Sequence, residues 1–131
     1  MLVSKVIAEL RKIVQLKPET IYSSGGHGCK YADGTCSDGS IGCLFGQVLS
    51  NLGEDVKRFD NYPMLCQENI YYTPAIDKIL TNEFEGTAEE INWCAKVQEH
   101  QDNGCSWKEA VKEADLQFAL EPSAIENVSS S

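Results

Sequence analysis

Apolar residues recur every three or four positions in several stretches of this chain, and that spacing places them along one face of an α-helix. The first set is Val3, Val6, Ile7, Leu10, Ile13 and Val14. Later stretches follow helix-start signals, which are Thr73-Pro74, Thr87 with Glu90, and Ser106 with Glu109. The pattern predicts helices over about residues 3–17, 41–52, 74–84, 88–102 and 107–118. We therefore expect an all-α fold, a single compact bundle of about five helices.

The stretch from Ser23 to Gly42 interrupts the helical pattern. It holds Gly25, Gly26, Gly28, Gly34 and Gly39. So many glycines disfavour a regular helix and predict a long Gly/Cys-rich loop after the first helix, with a small hairpin around Asp33-Gly34. A short helical turn is expected over 54–59, whereas 64–72 is compatible with either an extended segment or a helix. We expect 1–121 to form the single helical domain and 122–131 a flexible C-terminal tail.

Length and composition limit the class of protein. A chain of 131 residues fits one domain, and 42% apolar with 24% charged residues is ordinary for a globular protein. No apolar run approaches the roughly 18 residues that a membrane span needs. Lys5 and Glu9 interrupt the apolar N-terminal stretch, which argues against a signal peptide. We therefore expect a cytoplasmic protein without a membrane partner.

The net charge of −9 comes from the second half of the chain. Residues 1–65 hold seven Lys or Arg and seven Asp or Glu, whereas residues 66–131 hold four Lys and thirteen Asp or Glu. If this charge gathers on one side of the bundle, it repels nucleic acid and attracts a protein partner with a basic surface. The predicted contact residues are Glu99, Asp102, Glu109, Glu113 and Trp93. A solvated helix face for the acids, and core packing for Trp93, are the more common outcomes of these patterns.

Six cysteines, at positions 29, 36, 43, 66, 94 and 105, leave three chemical states open. His27, Cys29, Cys36 and Cys43 supply four potential zinc ligands. Their spacing differs from the usual zinc knuckle, because six residues separate each successive pair of these cysteines. Since no export signal is recognised, reduced thiols are the first expectation, zinc binding the second, and a disulfide such as Cys29–Cys43 the third.

Cys43 is the one candidate for catalysis. It is predicted in the first turn of the second helix, where the helix dipole lowers the pKa of a thiol. His27 is near enough in sequence to serve as its base, and His100 is expected at the surface. No third catalytic member or oxyanion motif accompanies this pair, and no dinucleotide, P-loop, zinc-protease or nucleophile-elbow motif is present. We therefore expect a non-catalytic protein.

Two stretches of the sequence resemble a family of small helical proteins encoded by phages and prophages of actinobacteria. The first is Cys29-Lys30-Tyr31 followed by Gly42-Cys43-Leu44-Phe45-Gly46-Gln47-Val48-Leu49-Ser50-Asn51-Leu52-Gly53. The second runs from Val97-Gln98-Glu99-His100-Gln101-Asp102-Asn103-Gly104 into Trp107-Lys108-Glu109-Ala110. The resemblance implies a phage or prophage origin and the cytoplasm of a host bacterium. It implies no activity, and His27 and Cys36 fall outside the shared pattern.

The leading hypothesis is a non-catalytic phage or prophage accessory protein that binds a host or phage macromolecule through an acidic helical surface. One alternative is a zinc-stabilised regulatory module that uses the four loop ligands. The other is a thiol-dependent enzyme or redox factor that uses Cys43. The sequence sets neither the identity of the partner nor the oligomeric state.

Overall fold

The computed structural model describes residues 1–23, 30–32, 34–64, 67–72 and 74–118. Its five α-helices are α1 (Val3–Leu16), α2 (Leu44–Asn51), α3 (Ile76–Glu83), α4 (Ala88–Asp102) and α5 (Trp107–Gln117). A 3₁₀ helix spans Val56–Phe59. Two antiparallel ribbons pair β1 (Tyr22–Ser23) with β2 (Thr35–Cys36), and β3 (Tyr62–Met64) with β4 (Gln67–Tyr72). The predicted all-α bundle of five helices is confirmed.

The helix faces are those that the apolar spacing predicts. All six apolar residues of the α1 pattern are buried, and so are both tryptophans of the α4–α5 hairpin. Two of the three helix-start signals are confirmed as well, because Thr87 and Glu90 form a complete capping box and the Ser106 hydroxyl accepts the Glu109 amide hydrogen. Gly104 ends α4 with a φ of 92°, a backbone angle that favours glycine.

Helix α4 is the centre of the bundle, because it packs against each of the other four helices. A helix with neighbours on several sides buries polar positions too, and both Gln98 and Gln101 are buried. The Gln98 Oε1 atom accepts the amide hydrogen of Ile76, the first residue of α3, at 2.7 Å. The Gln101 Oε1 atom does the same for Leu44, the first residue of α2, at 2.7 Å. Two side chains of α4 therefore cap helices whose own N-cap residues make no side-chain hydrogen bond.

Helix α3 begins later than the sequence signal predicts. Its N-cap is Ala75 and its first residue is Ile76, whereas Thr73 lies outside the described residues. The start is displaced because Gln98, from a different helix, supplies the hydrogen-bond acceptor that the prediction assigned to Thr73.

The glycine-rich loop is arranged differently from the predicted small hairpin. A hairpin around Asp33-Gly34 would pair β2 with the residues just before position 33. Strand β2 pairs instead with β1, at Tyr22–Cys36 and Ser23–Thr35. The Tyr22 ring lies against Gly34, where a Cβ atom would be 2.7 Å from two ring carbons. Its hydroxyl also accepts the Lys30 amide hydrogen at 2.9 Å. The loop is therefore organised around a tyrosine that precedes it, and Asp33 and residues 122–131 lie outside the described residues.

Candidate functional site: the acidic hairpin surface and the cysteine loop

We define the acidic hairpin surface as Glu99, Asp102, Glu109 and Glu113, all of which are exposed. Glu99 and Asp102 lie in the last turn of α4, and Glu109 lies in the first turn of α5. Because only residues 103–106 connect the two helices, the end of α4 lies beside the start of α5. Three of the four carboxylates therefore lie at the loop end of the hairpin, and Glu113 follows one helical turn later.

Most of these carboxylates are free of ion pairs. Glu99 is 3.1 Å from the Lys96 ammonium, an exposed pair of the kind that stabilises a protein by less than about 1 kcal/mol. Asp102, Glu109 and Glu113 form no ion pair with any residue that the structure describes. Their charges are therefore available to a partner.

The prediction that the whole net charge gathers on one side of the bundle needs correction. Asp115 is bound to Arg11 through hydrogen bonds of 2.9 and 3.2 Å, and Glu83 is paired with Arg58. Both arginines come from the first half of the chain, so they neutralise acids of the second half. Helix α5 also carries two exposed lysines, Lys108 and Lys112, beside Glu109 and Glu113 in the sequence. Fewer acidic side chains therefore contribute unpaired charge to one surface than the charge count predicts.

Glu99 and Asp102 lie where the backbone disfavours negative charge. The C-terminal end of a helix carries a partial negative charge, which repels carboxylates in the last turn. Desolvation by the surrounding protein raises the pKa of Asp102, and the 3.1 Å hydrogen bond from Gln101 opposes that shift. Both the dipole and the desolvation make the ionised Asp102 less stable in the folded protein than in the unfolded chain. Residues that reduce stability in this way are typical of functional surfaces.

We expect Asp102→Asn to increase the free energy of unfolding at neutral pH by about 0.5 kcal/mol. Asparagine keeps an acceptor for Gln101 but removes the charge. Since folding raises the pKa of Asp102, the gain is fully present above the folded pKa and disappears below the unfolded pKa of about 3.9. Urea unfolding of both proteins at neutral and acidic pH measures it. Glu19→Gln, which removes an exposed charge outside the helices, is the control, and an equal gain there would contradict the explanation.

Trp93 does not belong to the acidic hairpin surface. Its side chain is 0% exposed, its Nε1 atom donates to Asp115 Oδ1 at 2.8 Å, and the Arg11 guanidinium lies 4.8 Å from the ring centroid. The prediction of core packing is confirmed for this residue. The prediction of partner contact is wrong, because residues of α1 and α5 interact with the ring that would have to be exposed.

Cys43 forms a disulfide, so in this structure its sulfur is neither a free thiolate nor a metal ligand. The other cysteines that the structure describes, Cys36, Cys94 and Cys105, are free thiols. The partner of Cys43 therefore lies outside the described residues. The expectation of reduced cysteines holds for these three and is wrong for Cys43. A thiol-dependent reaction at Cys43 would first require reduction of this bond.

The four predicted zinc ligands are only partly described. His27 and Cys29 lie outside the described residues, and Cys43 is in the disulfide. Cys36 is buried, and its Sγ atom donates to the Gly42 carbonyl oxygen at 3.2 Å. Within residues 1–23, 30–32, 34–64, 67–72 and 74–118, no group of three or more His, Cys, Asp or Glu side chains could hold a metal ion.

Thiol labelling tests this assignment of the cysteines. In the denatured but unreduced protein, we expect maleimide to modify Cys36, Cys94 and Cys105 and to leave Cys43 unmodified. In the folded protein, the half-buried Cys105 should react first, because burial hides Cys36 and Cys94 and raises the pKa of both thiols. Reduction before labelling is the control. A modified Cys43 in the unreduced sample would show that the disulfide is absent.

Peptide mapping identifies the partner of Cys43. The Cys43 amide donates to the carbonyl oxygen of Lys30 at 3.0 Å, so the backbone next to position 29 lies beside Cys43. We therefore expect the unreduced digest to contain a peptide in which Cys43 is linked to Cys29. A link to Cys66 would contradict this expectation.

The structure also assembles a polar cluster that sequence spacing does not indicate. The Lys17 ammonium lies 2.9 Å from the Asp38 carboxylate and donates to Gln47 at 3.0 Å. Gln47 in turn donates to the Ser40 hydroxyl at 2.8 Å. The hydrogen bond from Ser40 and the contact with Lys17 hold the pKa of Asp38 well below its usual range. These side chains come from the end of α1, the loop and α2, so only the folded chain brings them together.

An open cleft of about 490 Å³ lies beside this cluster, between the loop and α2 with the 3₁₀ helix. Its lining includes the polar residues Ser40, Gln47, Asn51, Glu54 and Lys57. Gln47 and Asn51 lie in a stretch that carries the resemblance, but no motif or spacing connects them with Ser40, Glu54 and Lys57.

Comparison with protein-family models, with curated proteins and with solved structures finds no match for this chain. Among the residues that the structure describes, none of the helices is both long enough and apolar enough to span a membrane.

Proposed function

We propose that this protein is a non-catalytic accessory protein that binds a basic protein surface through the acidic hairpin surface. The observation that carries the proposal is the exposure of Asp102, Glu109 and Glu113 without an ion pair among the described residues. Unpaired surface carboxylates attract a basic partner over several ångströms and increase its association rate. They also make the binding sensitive to salt.

The α4–α5 hairpin provides a fixed platform for these carboxylates. The capping box that includes Thr87 orders the start of α4. The Ser106 side chain orders the start of α5. The Trp107 amide donates to the Thr20 carbonyl oxygen at 2.9 Å, which attaches the start of α5 to the segment after α1. Side chains held on such a platform lose little conformational entropy when a partner binds.

A binding assay with two matched charge reversals tests the proposal. Glu109→Lys/Glu113→Lys inverts two charges of the acidic hairpin surface, and Glu19→Lys/Glu85→Lys inverts two exposed charges elsewhere. Affinity purification from the native host, with mass spectrometry, should show basic proteins retained by the original and the control protein and lost from the hairpin variant. Retention should weaken as salt increases. Equal retention by all three proteins, or by none, would overturn the proposal.

A phage or prophage origin and a cytoplasmic location are part of the same proposal, and the resemblance described above supports them. The Cys43 disulfide gives the location a direct test, because structural disulfides are rare in reducing compartments. Acid quenching of cells followed by thiol labelling should find Cys43 reduced in a cytoplasmic protein. Oxidised Cys43 at the moment of quenching would instead place the protein in an oxidising compartment or identify a regulated disulfide.

The second candidate function is a redox factor, and the Cys43 disulfide is the observation that favours it. If the disulfide controls the protein, partner retention should differ between oxidised and dithiothreitol-reduced protein. If the acidic hairpin surface acts alone, reduction should leave retention unchanged while Glu109→Lys/Glu113→Lys abolishes it.

A further inference from the structure

The turn between α4 and α5 contains Asn103-Gly104, the one place in this chain where glycine follows asparagine. An asparagine side chain can react with the next peptide nitrogen, and glycine favours this reaction because it has no side chain to obstruct the approach. Both residues are exposed, and the Asn103 side chain forms no hydrogen bond with any residue that the structure describes. The side chain is therefore free to rotate towards the backbone.

The reaction closes a five-membered ring and then opens it again. The Gly104 nitrogen gives its proton to solvent and bonds to the Cγ atom of Asn103, while the side-chain carbon–nitrogen bond breaks and releases ammonia. Water then opens the ring at either of its two carbonyl groups. One product is aspartate, and the other is isoaspartate, in which the main chain passes through Cγ and is one carbon longer. The two steps consume one water molecule and need no oxidant, reductant or second protein.

The folded turn holds the reacting atoms apart. Ring closure needs the Gly104 nitrogen on the side of the Asn103 Cβ atom, whereas the ψ of 6° at Asn103 places it beside the Asn103 nitrogen instead. The Gly104 amide also donates to the Gln101 carbonyl oxygen at 3.1 Å. The backbone must therefore rotate about the Cα–C bond of Asn103 and release this hydrogen bond before the ring can form.

Few contacts hold the turn in the closed conformation. Opening releases the hydrogen bonds from the Gly104 amide to Gln101 and from the Cys105 amide to His100, each of 3.1 Å. A Cβ atom built on Gly104 would meet no atom of the described residues within 4 Å, so none of their side chains packs over this part of the turn. Trp107, which is fully buried, can keep its packing in the core. Local opening therefore needs much less free energy than complete unfolding.

We propose that Asn103 is a modification site, at which local opening of the α4–α5 turn permits spontaneous deamidation. Both products add a carboxylate beside Asp102. The isoaspartate product also lengthens the main chain within the turn, so the two hydrogen bonds of the closed turn cannot both form again. The modification therefore keeps the turn open. This inference does not depend on the acidic hairpin surface or on the function proposed for it.

Peptide mapping that separates aspartate from isoaspartate tests the site. The protein is incubated folded and in guanidinium chloride at the same slightly alkaline pH. We expect Asn103 to react in both samples and more slowly in the folded protein by about tenfold or more, which corresponds to an opening free energy of at least about 1.4 kcal/mol. Asn92, which is also exposed but lies within α4 before Trp93, is the internal control and should stay unmodified in the folded sample. Equal rates for Asn103 in the two samples would overturn the role of the turn, and reaction only in guanidinium chloride would overturn local opening.

Hydrogen exchange and a core variant distinguish local opening from complete unfolding. If local opening precedes the reaction, the protection of the Gly104 and Cys105 amides against exchange should match the ratio of the two deamidation rates. Ile7→Val, in the buried face of α1, makes complete unfolding about fivefold more frequent and should leave the rate at Asn103 in the folded protein unchanged. A rate that increases with this loss of global stability would show that the reaction follows complete unfolding, and it would overturn the proposal.

Discussion

Replacing Trp93 with alanine is expected to lower the free energy of unfolding by about 4 kcal/mol. The side chain is fully buried in the central helix, so its removal leaves a cavity between α1, α4 and α5. The substitution also takes the ring from beneath Arg11 and a hydrogen bond from Asp115. Urea unfolding monitored by circular dichroism measures the loss.

Trp93→Phe separates packing from hydrogen bonding at the same position. Phenylalanine keeps much of the apolar volume but has no N–H group, so Asp115 loses the 2.8 Å hydrogen bond and keeps Arg11. We expect a loss of about 1.5 kcal/mol for this variant. If Trp93→Ala costs no more than Trp93→Phe, the cavity is not the main effect and the explanation is wrong.

Gly46→Ala is expected to lower the free energy of unfolding by about 3 kcal/mol. A Cβ atom at position 46 would lie 2.6 Å from the carbonyl carbon and 2.8 Å from the Cα atom of Tyr31. The obstacle is backbone, so it cannot move aside as a side-chain end can. Tyr31 is held in place because its hydroxyl donates to the Pro74 carbonyl oxygen at 2.7 Å and accepts from Gln98 at 2.9 Å. The alanine must therefore push the loop away from α2 and break these contacts.

Ser50→Ala is the matched control for Gly46→Ala. Ser50 lies on the exposed side of the same helix and already has a Cβ atom, so its replacement adds no atom and should change the free energy of unfolding by less than about 0.5 kcal/mol. Since alanine favours helices over glycine by about 1 kcal/mol, a stabilised Gly46→Ala protein would show that the loop does not lie against α2.

Features encoded within a few residues were predictable. The ends of α4 follow from Thr87, Glu90 and Asn103-Gly104, and the buried side of α1 follows from its apolar spacing. The two short ribbons were harder to predict. Residues 64–72 carried no decisive periodicity; of these, Met64 belongs to β3 and Gln67–Tyr72 form β4.

The candidate site was predictable only in part. The exposure of the four glutamate and aspartate residues follows from their places outside the apolar pattern of α4 and α5. The apolar pattern favoured burial of Trp93, but it did not indicate the contacts of Trp93 with Arg11 and Asp115, which are 104 positions apart. The sequence left Cys43 as a thiol, a zinc ligand or half of a disulfide. It could not decide between them, because the distances between sulfur atoms depend on how the loop folds.

The sequence by itself determined the helices, their buried faces and most of their ends, because these depend on hydrogen bonds and apolar contacts between residues three or four positions apart. Only the tertiary structure decided which charges are neutralised and which buried glutamines cap other helices. Arg11 reaches Asp115, Arg58 reaches Glu83, and Gln101 reaches Leu44 across 57 positions. Such pairs form because packing around α4 places distant segments side by side, and packing is a property of the whole chain.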